Sequence, residues 1–195
     1  MNPIFAPRRA ADVSDLIDRC RLGLIVSGTG EGLAATPLPL LAKRGRDGEV
    51  TELLGHFARS NPHVAKLEKN PYARALFLGP NAAISPKWVS KPQWGPTWNY
   101  AFVDIAVEIT FLPDQNDVAV RQLVSAVEGD SWNVEQLGDR YESLIDRIIA
   151  FRARVVEQNA VFKLGQDEDR KSFSEILAGL GDDPLAALMR RQAEE

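Results

Sequence analysis

The sequence predicts an α+β fold, mainly β, built as an antiparallel barrel with flanking helices. Three observations predict it. Short β-type runs cluster in the first half of the chain, each closed by Gly, Pro, Ser or Asp. Residues 100–111 form the longest such run, with Val103, Ile105, Val107 and Ile109 on one face and Asp104, Ala106, Glu108 and Thr110 on the other. The helical patterns flank these runs and do not alternate with them, as a parallel sheet would require.

In chain order, Asp12 is placed to cap a first helix whose stripe is Val13, Leu16 and Ile17, ending near Cys20. Residues 22–26 read as a strand, residues 27–32 as a turn, and residues 33–42 as the return arm of a hairpin. Pro37 and Pro39 in that arm lack a ladder donor, so the strand belongs at an edge or is interrupted there. A second turn at residues 43–48 leads into a strand over 49–57. Asn61-Pro62 then starts a helix, because Asn accepts from free amides and Pro at the first position wastes no donor; the helix ends near Asn70-Pro71. Residues 72–79 and 82–85 read as a strand and its continuation, followed by a Pro- and Trp-rich loop over 86–97. Helices are expected at 115–127 and 138–150, the second with Leu144, Ile145, Ile148 and Ile149 on one side, and a last strand at 161–164. The tail from Ser172 reads as two short helices parted by residues 181–184, with a polar end expected to fray. No internal repeat is visible.

At 195 residues, with 45 % hydrophobic and 26 % charged, the chain is an ordinary globular domain large enough to bury a core. No apolar run is long enough to cross a bilayer and no apolar signal core follows Arg8 and Arg9, so a cytoplasmic location without membrane contact is expected. Cys20 stands alone, which excludes an intramolecular disulfide, and is expected to be a buried inert thiol. Two histidines cannot build a multi-histidine metal centre. A net charge of −4 gives no general attraction to nucleic acid, so any phosphate affinity must be local. No phosphate-binding P-loop or Gly-x-Gly-x-x-Gly fingerprint is present.

Two segments can carry chemistry. In the first, residues 55–62, a strand delivers Ala58, Arg59 and Ser60 to a helix amino terminus, where free amides, the helix dipole, a guanidinium and a hydroxyl can together hold a phosphate. Read alone, the segment is better explained by Ser60 or Asn61 merely capping the helix and Arg59 making a surface ion pair. His56 beside it is either structural or in contact with a ligand, and His63 on the helix is expected to be exposed. In the second, residues 84–88 and 96–100, Trp88, Thr97, Trp98, Asn99 and Tyr100 offer stacking faces and edge donors to a planar ligand. Read alone, the segment is better explained by Trp88, Trp98 and Tyr100 closing a barrel end as core; stacking on single-stranded nucleic acid is a third reading, which the scarcity of nearby cations disfavours.

With these segments in order, the chain resembles the PaiB-like family, the FMN-binding negative transcriptional regulators within the pyridoxamine phosphate oxidase-like split barrels. The landmarks are Thr36-Pro37-Leu38-Pro39-Leu40, Gly55-His56-Phe57-Ala58-Arg59-Ser60-Asn61-Pro62, Ile84-Ser85-Pro86-Lys87-Trp88, Pro96-Thr97-Trp98-Asn99-Tyr100 and Lys163-Leu164-Gly165-Gln166. The resemblance implies an antiparallel split β-barrel over residues 1–170, a helical tail over 171–195, and a homodimer with FMN between its subunits. It implies cofactor contacts from Thr36, Pro37, Leu38, His56, Ala58, Arg59 and Ser60, with Thr97, Trp98 and Asn99 approaching the flavin and Lys163 and Gln166 closing the site. Gly165 and Asp167 depart from the family's Lys-Leu-Ser-Gln-Asn run, and the loop over 89–95 is shortened. A flavin-dependent oxidoreductase or flavin carrier is then the first expectation. A regulator acting through DNA or a protein partner is the second, and a barrel that has lost its flavin the third; no catalytic residue is identified.

Overall fold

The computed structural model describes residues 2–28 and 32–193. Seven strands form one antiparallel sheet: β1 (Leu22–Ser27), β2 (Ala34–Pro39), β3 (Leu41–Arg44), β4 (Val50–Ala58), β5 (Tyr72–Ile84), β6 (Thr97–Phe111) and β7 (Ile148–Lys163), in the order β2-β1-β5-β6-β7-β4-β3. The helices are α1 (Ala10–Arg19), α2 (Pro62–Lys69), α3 (Asn116–Glu128), α4 (Arg140–Ile145), α5 (Arg170–Leu180) and α6 (Pro184–Ala193).

The sheet order explains the two prolines. β2 and β3 are the opposite edges of the sheet, yet only Leu40 separates them in the chain. The sheet therefore curls until its edges meet at one residue, joined by the chain and not by a ladder, which is a split barrel. Pro37 and Pro39 sit on the β2 edge, where no ladder donor is needed. Leu40 is fully buried, and its amide donates to the Arg21 carbonyl at 2.8 Å. The strands flanking it give up side chains to let it in. A Cβ on Gly23 of β1 would lie 2.8 Å from one Leu40 methyl, and one on Gly55 of β4 would lie 2.7 Å from the other.

The alternation of residues 100–111 places Val103, Ile105, Val107 and Ile109 inside, all at most 4 % exposed, against Phe57, Phe77, Phe151 and Phe162. Burying each such side chain contributes roughly 1.5–3 kcal/mol. Ile176 of α5 and Leu185, Leu188 and Met189 of α6 belong to the same buried cluster. The turn expected at residues 27–32 and the fraying end lie partly outside the described residues.

Three expectations are corrected. Asp12 does not occupy the N-cap: α1 begins two residues earlier, and from its third position Asp12 accepts from the Arg9 amide at 2.9 Å and from the Arg9 guanidinium at 3.0 Å. Burial alone would raise the Asp12 carboxyl, but hydrogen bonds from Gln192 and Arg9 outweigh it and hold the pKa below its ordinary 3.8. The helix expected over 138–150 ends at Ile145, and Ile148 opens a 16-residue strand where only residues 161–164 were expected. The spacing of Leu144, Ile145, Ile148 and Ile149 matches a helix face, but pairing overrides it: Ile149 stands opposite Phe57 and Phe151 opposite Gly55. β6, finally, begins at Thr97, so part of the aromatic loop is strand.

Candidate functional site

The strand-to-helix delivery expected at residues 55–62 is present. β4 ends at Ala58, and Asn61 caps α2 by accepting from the His63 amide at 2.9 Å. Arg59 and Ser60 are exposed between them and line a cleft of about 380 Å³ with Asn61, Pro62 and Val64. Arg59 is oriented from the β7 side: its Nε donates to the Asp146 carbonyl at 3.0 Å and its amide to the Arg147 carbonyl at 2.8 Å. An oriented guanidinium, a free hydroxyl and the start of a helix are the donor set of a phosphate site.

Behind this cleft lies a hydrogen-bonded cluster. His63 is 2 % exposed, where the sequence suggested a surface residue. Its Nε2 lies 2.8 Å from Ser27 Oγ at the end of β1, and its Nδ1 lies 2.9 Å from Thr36 Oγ1 in β2. Thr36 also accepts from Asn61 Nδ2 at 3.3 Å. The Phe57 ring meets the imidazole edge to face at 5.5 Å between centroids. Burial, helped by the charge of Lys66, lowers the His63 pKa from its ordinary 6.5 and keeps the ring neutral. Pro37 is exposed beside Thr36, and Leu38 packs against the buried cluster.

His56 is not part of this cluster. It shares the outward face of β4 with Glu52 and Leu54, over which Gln115, Val118 and Ala119 of the α3 side close a pocket of about 560 Å³. Its Nδ1 is buried without a hydrogen-bond partner, and burial lowers its pKa.

The second group stands elsewhere. Lys163 Nζ donates to Thr97 Oγ1 at 2.6 Å, which leaves two ammonium hydrogens for other acceptors. Trp98 is 52 % exposed, with its indole N–H on Asn81 Oδ1 at 3.3 Å. Asn99 points inward, buried, its amide 3.8 Å from Met189 Sδ. Gln166 staples the turn after β7, accepting from the Leu164 amide at 2.7 Å and donating to the Phe162 carbonyl. Asp167 is exposed. The loop before Thr97 is tied down by the tail: Trp94 donates to Glu168 at 3.1 Å and the Ser90 amide to Glu175 at 2.7 Å.

These two groups occupy opposite ends of β7. Ala58, next to Arg59, pairs with Ile148 at its start, and Tyr100, beside Trp98, pairs with Lys163 at its end. At about 3.3 Å per residue the strand between them exceeds the length of a mononucleotide severalfold. The outward sheet face beside the second group carries an apolar patch, Leu24 pairing with Leu76, Leu78 with Phe102 and Phe102 with Val161, with Leu78 62 % exposed, bounded by the Arg74–Asp104 ion pair. Sequence reasoning missed Ser27 and the burial of His63; the signal available was the Asn-Pro-His start of α2 opposite two hydroxyl-bearing strands.

The curled seven-stranded sheet has the split-barrel fold of flavin-binding proteins. The chain belongs to the family described as "Putative FMN-binding domain", whose model matches residues 1–157, and FMN is the cofactor that family defines. It is similar to the "Protease synthase and sporulation protein PAI 2" of Bacillus subtilis (strain 168), 26 % identical over 200 residues that cover 98 % of this chain and 94 % of that protein. Among solved structures, the fold is shared by the FAD and heme binding protein of Mycobacterium smegmatis, with TM-score 0.61, 14 % identity, and coverage of 86 % of this chain and 77 % of that one. It is shared also by the flavocytochrome Anf3 of Azotobacter vinelandii, with TM-score 0.59, 12 % identity, and coverage of 77 % and 65 %. Among the described residues, no helix is long and apolar enough to cross a membrane.

Proposed function

We propose that this chain is a cytoplasmic homodimeric flavoprotein, an FMN-dependent oxidoreductase or flavin carrier, whose cofactor lies between protomers. In this reading Arg59, Ser60 and the start of α2 of one protomer hold the phosphate. Thr97, Trp98 and Lys163 of the other approach the ring, with Asn99 and Gln166 fixing the strand ends beneath them. The observation that carries it is the separation just described: neither end of one protomer has the whole donor set, and an apolar patch of the sheet adjoins the second group. When bound, flavin supplies electron or hydride transfer. The chain's own work is to hold the anion, offer the exposed Trp98 face for stacking, and place the Lys163 ammonium beside Thr97, where a cation stabilises negative charge developing on a ring edge.

Incubation with FMN, removal of the unbound fraction and a visible spectrum test this. A retained flavin band that Arg59→Ala weakens by about tenfold or more in affinity is expected. Folded protein with no band would move the assignment to a barrel that has lost its flavin. The near full-length likeness to a protein named for protease synthesis and sporulation favours a regulatory role as the second reading; a salt-sensitive, promoter-selective gel shift would support it.

A further inference from the structure

The hydrogen-bonded cluster behind the phosphate cleft touches no reacting group, yet its geometry gives it a task. We infer that His63, bridged between Ser27 and Thr36, is a positioning residue for the cofactor phosphate: it locks the start of α2 to the β1–β2 hairpin and so fixes where Arg59 and Ser60 point. The inference rests on the phosphate reading proposed above.

Donors and acceptors in the cluster are matched in only one way at Asn61. Its Oδ1 accepts from the His63 amide, so its Nδ2 must face Thr36, and Thr36 Oγ1 is an acceptor there. The remaining positions form a chain through the ring, Thr36 on Nδ1 and Ser27 on Nε2, at 2.9 Å and 2.8 Å. A neutral imidazole satisfies that chain in either tautomer, since it then has one donor and one acceptor. The three contacts join residues 27, 36 and 61–63, from two strands and a helix cap, around one ring that is 2 % exposed. Asn61 is at once the cap of α2 and a wall of the phosphate cleft, so displacement of the cluster is displacement of the cleft.

The arrangement has the outline of a nucleophile with an oriented base. We do not read it so, because the imidazole is sealed from solvent and cannot pass a proton to a substrate.

The test compares FMN affinity, by quenching of flavin fluorescence, with the melting temperature of the FMN-free protein, for His63→Ala, His63→Gln, Thr36→Val and Leu67→Ala. Leu67 is 1 % exposed on the same helix but makes no polar contact in the cluster, so its variant reports what loss of α2 packing alone does to affinity. The expected result is a loss of affinity of about tenfold for His63→Ala and Thr36→Val, larger than Leu67→Ala gives at an equal fall in melting temperature. His63→Gln, which can still donate and accept, is expected to recover part of it, and the double variant to lose less than the sum of the two single losses. If His63→Ala proves unfolded, Thr36→Val and His63→Gln carry the comparison. Affinities that follow melting temperature along one line through Leu67→Ala, or that stay unchanged while Arg59→Ala is weakened, overturn the inference alone. An unchanged affinity in Arg59→Ala, or no FMN binding by the unaltered protein, overturns the phosphate reading and the inference with it.

Discussion

The two ends of the β6–β7 ladder are built on different principles. At the α2 end, polar groups from Ser27, Thr36, Asn61 and His63 are cross-linked through a buried ring, and Arg59 is oriented by two backbone carbonyls. At the far end, Lys163 has Thr97, exposed Trp98 has Asn81, and the preceding loop is held from outside by Glu168 and Glu175 of the tail region. The first end is preorganised within one protomer. The second presents an open aromatic and cationic surface beside an apolar patch of the sheet, which the proposed second copy would cover.

The largest effect should fall on the side chain that joins the α2 cluster to the barrel core. Phe57 is fully buried and its ring contacts His63, Phe111 and Phe151. Phe57→Ala is expected to cost about 3–5 kcal/mol in a denaturant titration, and a cost below about 1 kcal/mol would show that the barrel and the α2 cluster are not mechanically joined.

Next comes the question of whether the two ends serve one cofactor. Arg59→Ala and Lys163→Ala are each expected to lose most retained flavin. Mixed and allowed to exchange subunits, they should regain about a quarter of the sites, because half the dimers are mixed and each mixed dimer has one intact pair. If both residues acted on the same FMN within one protomer, mixing would restore nothing.

A smaller effect is expected at the far end alone. Gly165 has φ +84°, and a Cβ there would meet the Phe173 ring at 3.2 Å and Met189 at 3.3 Å. The serine more common in the resembled family would be strained in this backbone, so Gly165→Ser should cost about 1–3 kcal/mol in thermal unfolding. Stability equal to the unaltered protein would mean that this turn relaxes freely and that Gln166 does not hold it.

Much of this framework was legible in the sequence, for physical reasons that differ by element. Period-2 alternation over residues 100–111 is a local property, and it survives as β6. The two prolines announced an edge because a missing donor is tolerable only there. β7 was illegible because its apolar residues repeat like a helix while its real partners, β4 and β6, lie about 40 to 100 residues earlier. The delivery of Arg59 and Ser60 to a helix start was readable from Asn61-Pro62. The burial of His63 was not, since it depends on hydroxyls from two strands that the chain returns to the helix, and nothing local marks a histidine on α2 as interior. The distance between the Arg59 and Thr97 groups was equally invisible, being a property of pairing along β7.

The smallest expected effect separates the two ends by pH. Both histidines lie in the half that contains β4 and α2, and burial lowers both from an ordinary 6.5. The unfolded chain therefore binds more protons than the folded one as pH falls below about 6.5, so the stabilisation from the neutral rings is complete above that pH and declines below it, until the folded-state values are passed. For His63 the decline has two causes, the burial of its ring and the like charge of Lys66. Hydrogen exchange at pH 5.5 and 7.5, corrected for the intrinsic rate, should show lower protection of the α2 amides at the acid pH while the amides at the Thr97 end of β6, where no histidine stands, keep theirs. Equal losses at both ends would mean that the barrel opens as one unit and that the α2 cluster has no separate stability of its own.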